Sequence, residues 1–146
     1  MKKLIISCLI WICILGVFSC AKLEGKTVTL PDDITKITIA WDGGPLTTFS
    51  YTDRSKIEKI REYLTSLVLV PTKKDAELHM GGAWVITVES SLETLEMLHY
   101  GNLFFKTANG EWWEISYEQA TEFGNILKAN VPDELPQNIV FEEWID

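Results

Sequence analysis

Four strand-like runs follow one another with almost nothing between them: AWVITVES, ETLEMLHY, NLFFKTA and EWWEIS, broken at Ser90-Ser91, Gly101-Asn102 and Asn109-Gly110. Breaks this short admit antiparallel neighbours, because a parallel return needs a crossover of about a dozen residues. The Asn-Gly pair between two aromatic, β-rich runs predicts a two-residue hairpin. Upstream, ITKITIAW sets Ile34, Ile37, Ile39 and Trp41 against Thr35, Thr38 and Ala40, with Lys36 out of step. That alternation is strand behaviour. The turn signal DGGP, Asp42 to Pro45, then leads into LTTFSY, so a first hairpin precedes the four-run block.

Two segments change period. In TDRSKIEKIREYLTSL, Ile57, Ile60, Leu64 and Leu67 fall on one helical face, with Thr52 or Asp53 as N-cap and Pro71 closing the segment. In SYEQATEFGNILKAN, Ser116 and Gln119 form a capping box, Ala120, Phe123 and Leu127 make the buried stripe, and Asn130 with Pro132 ends the helix. The expected order is ββ-α-ββββ-α. It describes an α+β fold with a mostly antiparallel sheet of about six strands and both helices on one face, leaving the other face partly open. The tail VPDELPQNIVFEEWID is acidic but carries Ile139, Val140, Phe141 and Trp144, so part of it is expected to dock.

The beginning of the chain has another character. Lys2 and Lys3 precede an apolar run, Leu4 to Phe18, broken only by Ser7 and Gly16. About 15 apolar residues suit a signal-peptide core and fall short of the roughly 20 of a membrane-spanning helix. Ser19 then precedes Cys20, which resembles the lipobox of bacterial lipoproteins, although Val17 and bulky Phe18 depart from its commonest pattern. Cys8 and Cys13 lie within the leader, so processing leaves Cys20 as the one cysteine and excludes an internal disulfide. The expected division is a lipoprotein signal peptide over 1–19, a tether over 20–26 and a single domain over 27–146. Lipid on Cys20 would hold it at the cell membrane on the extracytoplasmic side. An uncleaved anchor and simple secretion are the alternatives.

The full chain of 146 residues carries a formal charge of −8; without Lys2 and Lys3, 11 basic residues face 21 acidic ones, a net −10. That balance argues against nucleic-acid binding, which relies on Lys and Arg neutralising phosphates. It equally disfavours docking on anionic lipid through a basic face.

LPDDITKITI, YTDRSKIEKIREYL and ANGEWWEISYEQATEFGNIL together resemble an uncharacterised domain family of small lipoproteins from Gram-positive bacteria. The resemblance covers about residues 28 to 130 and implies an extracytoplasmic lipoprotein domain, with no activity or site residue attached. The element order is also similar to TBP-like and small inhibitor-like arrangements, a likeness of shape alone.

Chemistry is sparse. His79 and His99, the only histidines, match no zinc or two-histidine spacing, and nucleotide-binding and nucleophile-elbow motifs are absent. The pairs Asp32-Asp33 and Glu142-Glu143, and Glu111 and Glu114 around the tryptophan pair, read as solvated acidic surface. No cofactor, metal or enzymatic activity is expected; a small envelope enzyme or metal-dependent hydrolase and a purely structural envelope component are the alternatives. The positive signal is aromatic. Trp112 and Trp113 are neighbours in a strand, so one faces the helices and the other faces away. With Trp84, Phe104, Phe105 and Tyr117 they suggest an exposed aromatic patch for a protein, peptide or envelope component. Cover by the tail is the competing reading.

Overall fold

The structure is a computed structural model and describes residues 25–43, 47–74, 76, 81–100 and 103–134. The leader, Cys20, His79 and residues 135–146, and with them the expectations for Glu142, Glu143, Phe141 and Trp144, lie outside the described residues. The elements are β1 (Ile34–Trp41), β2 (Thr47–Tyr51), α1 (Arg54–Ser66), β3 (Val70–Pro71), β4 (Ala83–Ser90), β5 (Thr94–Tyr100), β6 (Phe104–Lys106), β7 (Trp112–Glu114) and α2 (Tyr117–Ala129).

All strands join one antiparallel sheet in the order β2-β1-β4-β5-β6-β7-β3. The fold is therefore α+β as expected, with seven strands in place of about six. The addition is β3, a two-residue strand pairing Val70 with Glu114 and Pro71 with Trp113. Two residues are too few to show a period. β2 and β3 occupy opposite edges, so α1 carries the chain across the whole sheet.

Register fixes which side chains share a face. Thr47, Trp41, Trp84, His99, Phe105, Trp113 and Pro71 stand in one row across all seven strands. Beside it run Phe49, Ile39, Ile86 and Met97, then Tyr51, Ile37, Val88 and Leu95. These rows meet the buried residues of α1, Ile57, Ile60, Tyr63 and Leu64, and of α2, Phe123 and Leu127, in one core, so both helices cover the same face. Tyr63 had no place in an apolar stripe. It joins because its hydroxyl donates to the Gln119 carbonyl at 3.0 Å, which satisfies the polar end inside the fold.

The caps follow the sequence. Asp53 accepts from the amides of Ser55 at 2.9 Å and Lys56 at 3.2 Å. Ser116 and Gln119 exchange both capping-box bonds, each at 3.2 Å.

The β6–β7 turn departs from expectation in a way that matters. The Gly110 amide donates to the Thr107 carbonyl at 2.8 Å, the Thr107 amide donates to the Glu111 carbonyl at 3.0 Å, and Gly110 has φ 85°. Ala108, Asn109 and Gly110 thus form a three-residue loop with glycine in the left-handed position, the arrangement that makes a G1 bulge. Lys106 consequently lies opposite Trp112 and Phe105 opposite Trp113. A two-residue loop at Asn109-Gly110 would have put Lys106 opposite Trp113 and exchanged the faces of the two indoles.

Two segments outside the named elements close the fold. Residues 26–33 form a strap: Lys26 bridges Leu69, Val28 enters the core, and Asp33 accepts from the amide and hydroxyl of Ser91. From β3 to β1 is five interstrand steps, about 24 Å, which the eight residues from Lys26 to Ile34 cover only when nearly extended. At the opposite edge, Ser50 of β2 bridges Glu134. Asp133 accepts from the amides of Thr52 at 2.7 Å and Asp53 at 2.8 Å, and pairs with Lys56. These bonds, led by the Lys56 ammonium, hold the Asp133 carboxyl well below the usual carboxylate range.

Candidate interaction face

The face turned away from the helices carries Thr48, Ala40, Val85, Leu98, Lys106 and Trp112 in one row, with Ala83, Tyr100, Phe104, Glu114 and Val70 in the next. Its β1–β2 half is rich in hydroxyls: Thr38, Thr48 and Ser50. Its β5–β7 half is aromatic. Tyr100 meets Trp112 edge to face at 5.8 Å and 76°, and Lys106 Nζ lies 5.1 Å from the centre of the Trp112 ring. Lys74 lies 6.0 Å from the centre of the Phe104 ring. Glu114 accepts from the Thr72 hydroxyl at 2.7 Å and from Lys74 at 3.2 Å, which lowers its pKa. Trp112, Tyr100, Leu98 and Val85 remain half-buried, and Phe104 is only 4% exposed.

The three tryptophans proposed from sequence are not brought together. Trp112 lies on the helix-free face; Trp113 and Trp84 lie on the helix-covered one. Trp84 has the Trp41 ring at 4.9 Å, Phe49 at 6.1 Å and Phe123 at 6.3 Å, so the expectation that it faces outward is corrected. Trp113 packs against the core with Lys26 Nζ 5.2 Å from its ring centre. Phe105 is fully buried on the same face, and Tyr117, 63% exposed, stands at the start of α2. Tyr100 and Lys106 were the residues missed. Counting by two from Trp112 through its strand partner Lys106 finds both, provided the turn length is known.

The groups that sequence marked for chemistry are otherwise engaged. His99 is 2% exposed, its ring parallel to Phe123 at 4.6 Å and 14°, with Phe105 at its edge, 6.3 Å away. Asp32 pairs with Arg61 at 2.7 Å, and Asp33 takes the Ser91 hydroxyl, a bond that lowers its pKa. Glu111 pairs with Lys26 at 3.0 Å. Its pKa is lowered first by Asn109 and then by Lys26. Among the described residues no three His, Cys, Asp or Glu side chains converge to hold a metal, and no helix is long and apolar enough to cross a membrane.

The double-glycine turns have steric work. A Cβ on Gly82 would stand 2.2 Å from the Trp41 ring and one on Gly43 2.4 Å from it, whereas one on Gly81 would meet nothing. The glycines make room for an indole rather than a ligand.

Compared with known proteins, the chain matches no protein family, no curated protein and no solved structure.

Proposed function

We propose that the chain is a lipid-anchored, non-enzymatic interaction domain, held through Cys20 on the extracytoplasmic side of the cell membrane, with the helix-free face around Trp112 as its contact surface. The observation that carries this reading is the unequal use of the sheet. Trp84 and Trp113, themselves half-buried, pack against the core beneath the two helices, while Trp112, Tyr100 and Leu98 stay half-buried on the face that neither described helix covers. An antiparallel sheet open on one side is expected to be polar there, and a cluster of apolar side chains in that position marks a contact. The non-enzymatic reading is supported by the engagement of His99, Asp33, Glu111 and Glu114 in stacking and hydrogen bonds. The anchor is supported by the leader, the small residue before Cys20 and the position of the other two cysteines, Cys8 and Cys13, within the leader.

Metabolic labelling with a fatty acid tests the anchor. Label on wild type and none on Cys20→Ser is the expected result, and equal or absent label on both refutes it. For the face, Trp112→Ala is expected to abolish contact with a crosslinked envelope component while the fold is retained. Unchanged contact refutes that assignment.

A further inference from the structure

We infer that the β6–β7 end of the helix-free face, with Trp112 and Tyr100 at its centre, rests on the lipid surface to which the chain is tied. This rests on the anchoring through Cys20 proposed above and names the partner of the same face.

Five residues, Ala21 to Gly25, separate Cys20 from Lys26, so the tether spans at most about 20 Å even fully extended. A folded domain of this size has a radius of gyration of about 14 Å. The tether is therefore shorter than the domain is wide, and its point of departure dictates which side meets the membrane. That point is the β3 edge, where Lys26 bridges Leu69. Gly25 lies so close to Val68 that a Cβ there would come within 2.3 Å of the valine Cγ1. Val68 itself is 50% exposed. β7, which carries Trp112, is the strand next to β3, whereas the hydroxyl-rich β2 lies at the far edge.

The side chains brought to the lipid suit the water–hydrocarbon boundary. Indole and phenol rings settle at that level because one end is apolar and the other polar, and lysines there lay their stems along apolar surface with the ammonium in water. Lys106 Nζ, 5.1 Å from the centre of the Trp112 ring, puts a lysine beside the aromatic ring at this end of the face. Of the acidic neighbours, Glu111 pairs with Lys26 and Glu114 with Lys74, while Glu96, two residues before Leu98 on the same face, is exposed to water at the side of the patch nearer β4. Aromatic burial, not charge, is the attraction, in keeping with a chain whose net charge disfavours anionic lipid. A tether of a few residues gives an effective concentration of about millimolar order, so a contact with a dissociation constant of about 1 mM is occupied about half the time.

The test uses the full chain, lipidated in a bacterial host and reconstituted into phosphatidylcholine vesicles with brominated acyl chains, which quench tryptophan on contact. Brominated lipid is expected to quench the wild type. Trp112→Phe loses most of that quenching, and Trp84→Phe keeps it. Equal quenching of wild type and Trp112→Phe, or a Trp112 as open to aqueous iodide on the vesicle as in detergent, overturns the inference and leaves the face to a protein or peptide partner. Circular dichroism verifies that Trp112→Phe is folded. Should it not fold, Lys106→Glu replaces it: reduced quenching supports lipid contact and unchanged quenching overturns it. Missing label at Cys20 defeats the anchoring reading, whereas labelled protein with an unquenched Trp112 defeats this inference alone.

Discussion

Phe123 is the residue on which the two layers turn, and truncating it to alanine measures that directly. Its ring lies parallel to His99 at 4.6 Å and to Tyr63 of α1 at 5.3 Å and 27°, with Trp84 edge-on at 6.3 Å. One side chain of α2 thus bonds the sheet to the other helix while 2% exposed. Removing a buried phenylalanine costs about 3–5 kcal/mol, and each well-oriented aromatic pair is worth about 0.5–1.5 kcal/mol beyond its area. With two stacked partners lost, Phe123→Ala is expected near the upper end, about 4–5 kcal/mol. That approaches the whole stability of a weakly stable domain, about 5–15 kcal/mol. Urea unfolding followed by tryptophan emission reads the change as a lower midpoint at unchanged slope. Phe123→Leu, which keeps most of the volume but not the stacking, is expected to lose about 1–2 kcal/mol. Tyr117→Ala, on the exposed first turn of the same helix, stays within about 0.5 kcal/mol. A Phe123→Ala loss below about 1 kcal/mol would refute the claim that this ring couples sheet and helices.

Three further outcomes follow from the same geometry. Gly82→Ala, driven into the Trp41 ring, is expected to destabilise by about 1–3 kcal/mol, while Gly81→Ala beside it changes nothing; paired thermal melts check the contrast. Gly110→Ala forces a side chain into φ 85° and is expected to cost about 1–2 kcal/mol, read by urea titration. The Asp133 carboxyl is depressed in the folded state, so its contribution is fully present above the unfolded value of about 3.9 and is lost as pH falls through the folded value. Asp133→Asn is therefore less stable than wild type at pH 7, and the gap narrows below pH 4 in melts across that range.

Period and caps were legible because they are local. The alternation from Ile34 to Trp41, the Ile57–Ile60–Leu64–Leu67 stripe and the Ser116–Gln119 box depend on neighbours a few residues away, and each takes its expected place. What was hidden depends on distant partners. β3 is two residues long and exists because β7 offers an edge; the strap has no period because its successive residues meet different strands. The faces of Trp112 and Trp113 hinged on one loop residue, since Asn109-Gly110 reads equally as a two-residue turn or as the last part of a three-residue one. Trp84 looked available because an aromatic in a strand reveals its face only through its cross-strand partners, here Trp41 and His99.

The closed edges of the sheet bear on how such molecules would live beside one another. Unpaired strand edges are templates for another chain to add to. Here β2 is engaged at Ser50 by Glu134, and β3 is two residues long, contains a proline and has Lys26 bonded to the residue before it. Under the proposed anchor, copies confined to the two dimensions of a bilayer would reach local concentrations at which edge-to-edge polymerisation becomes a hazard. This sheet offers little at either edge for a neighbour to zip onto.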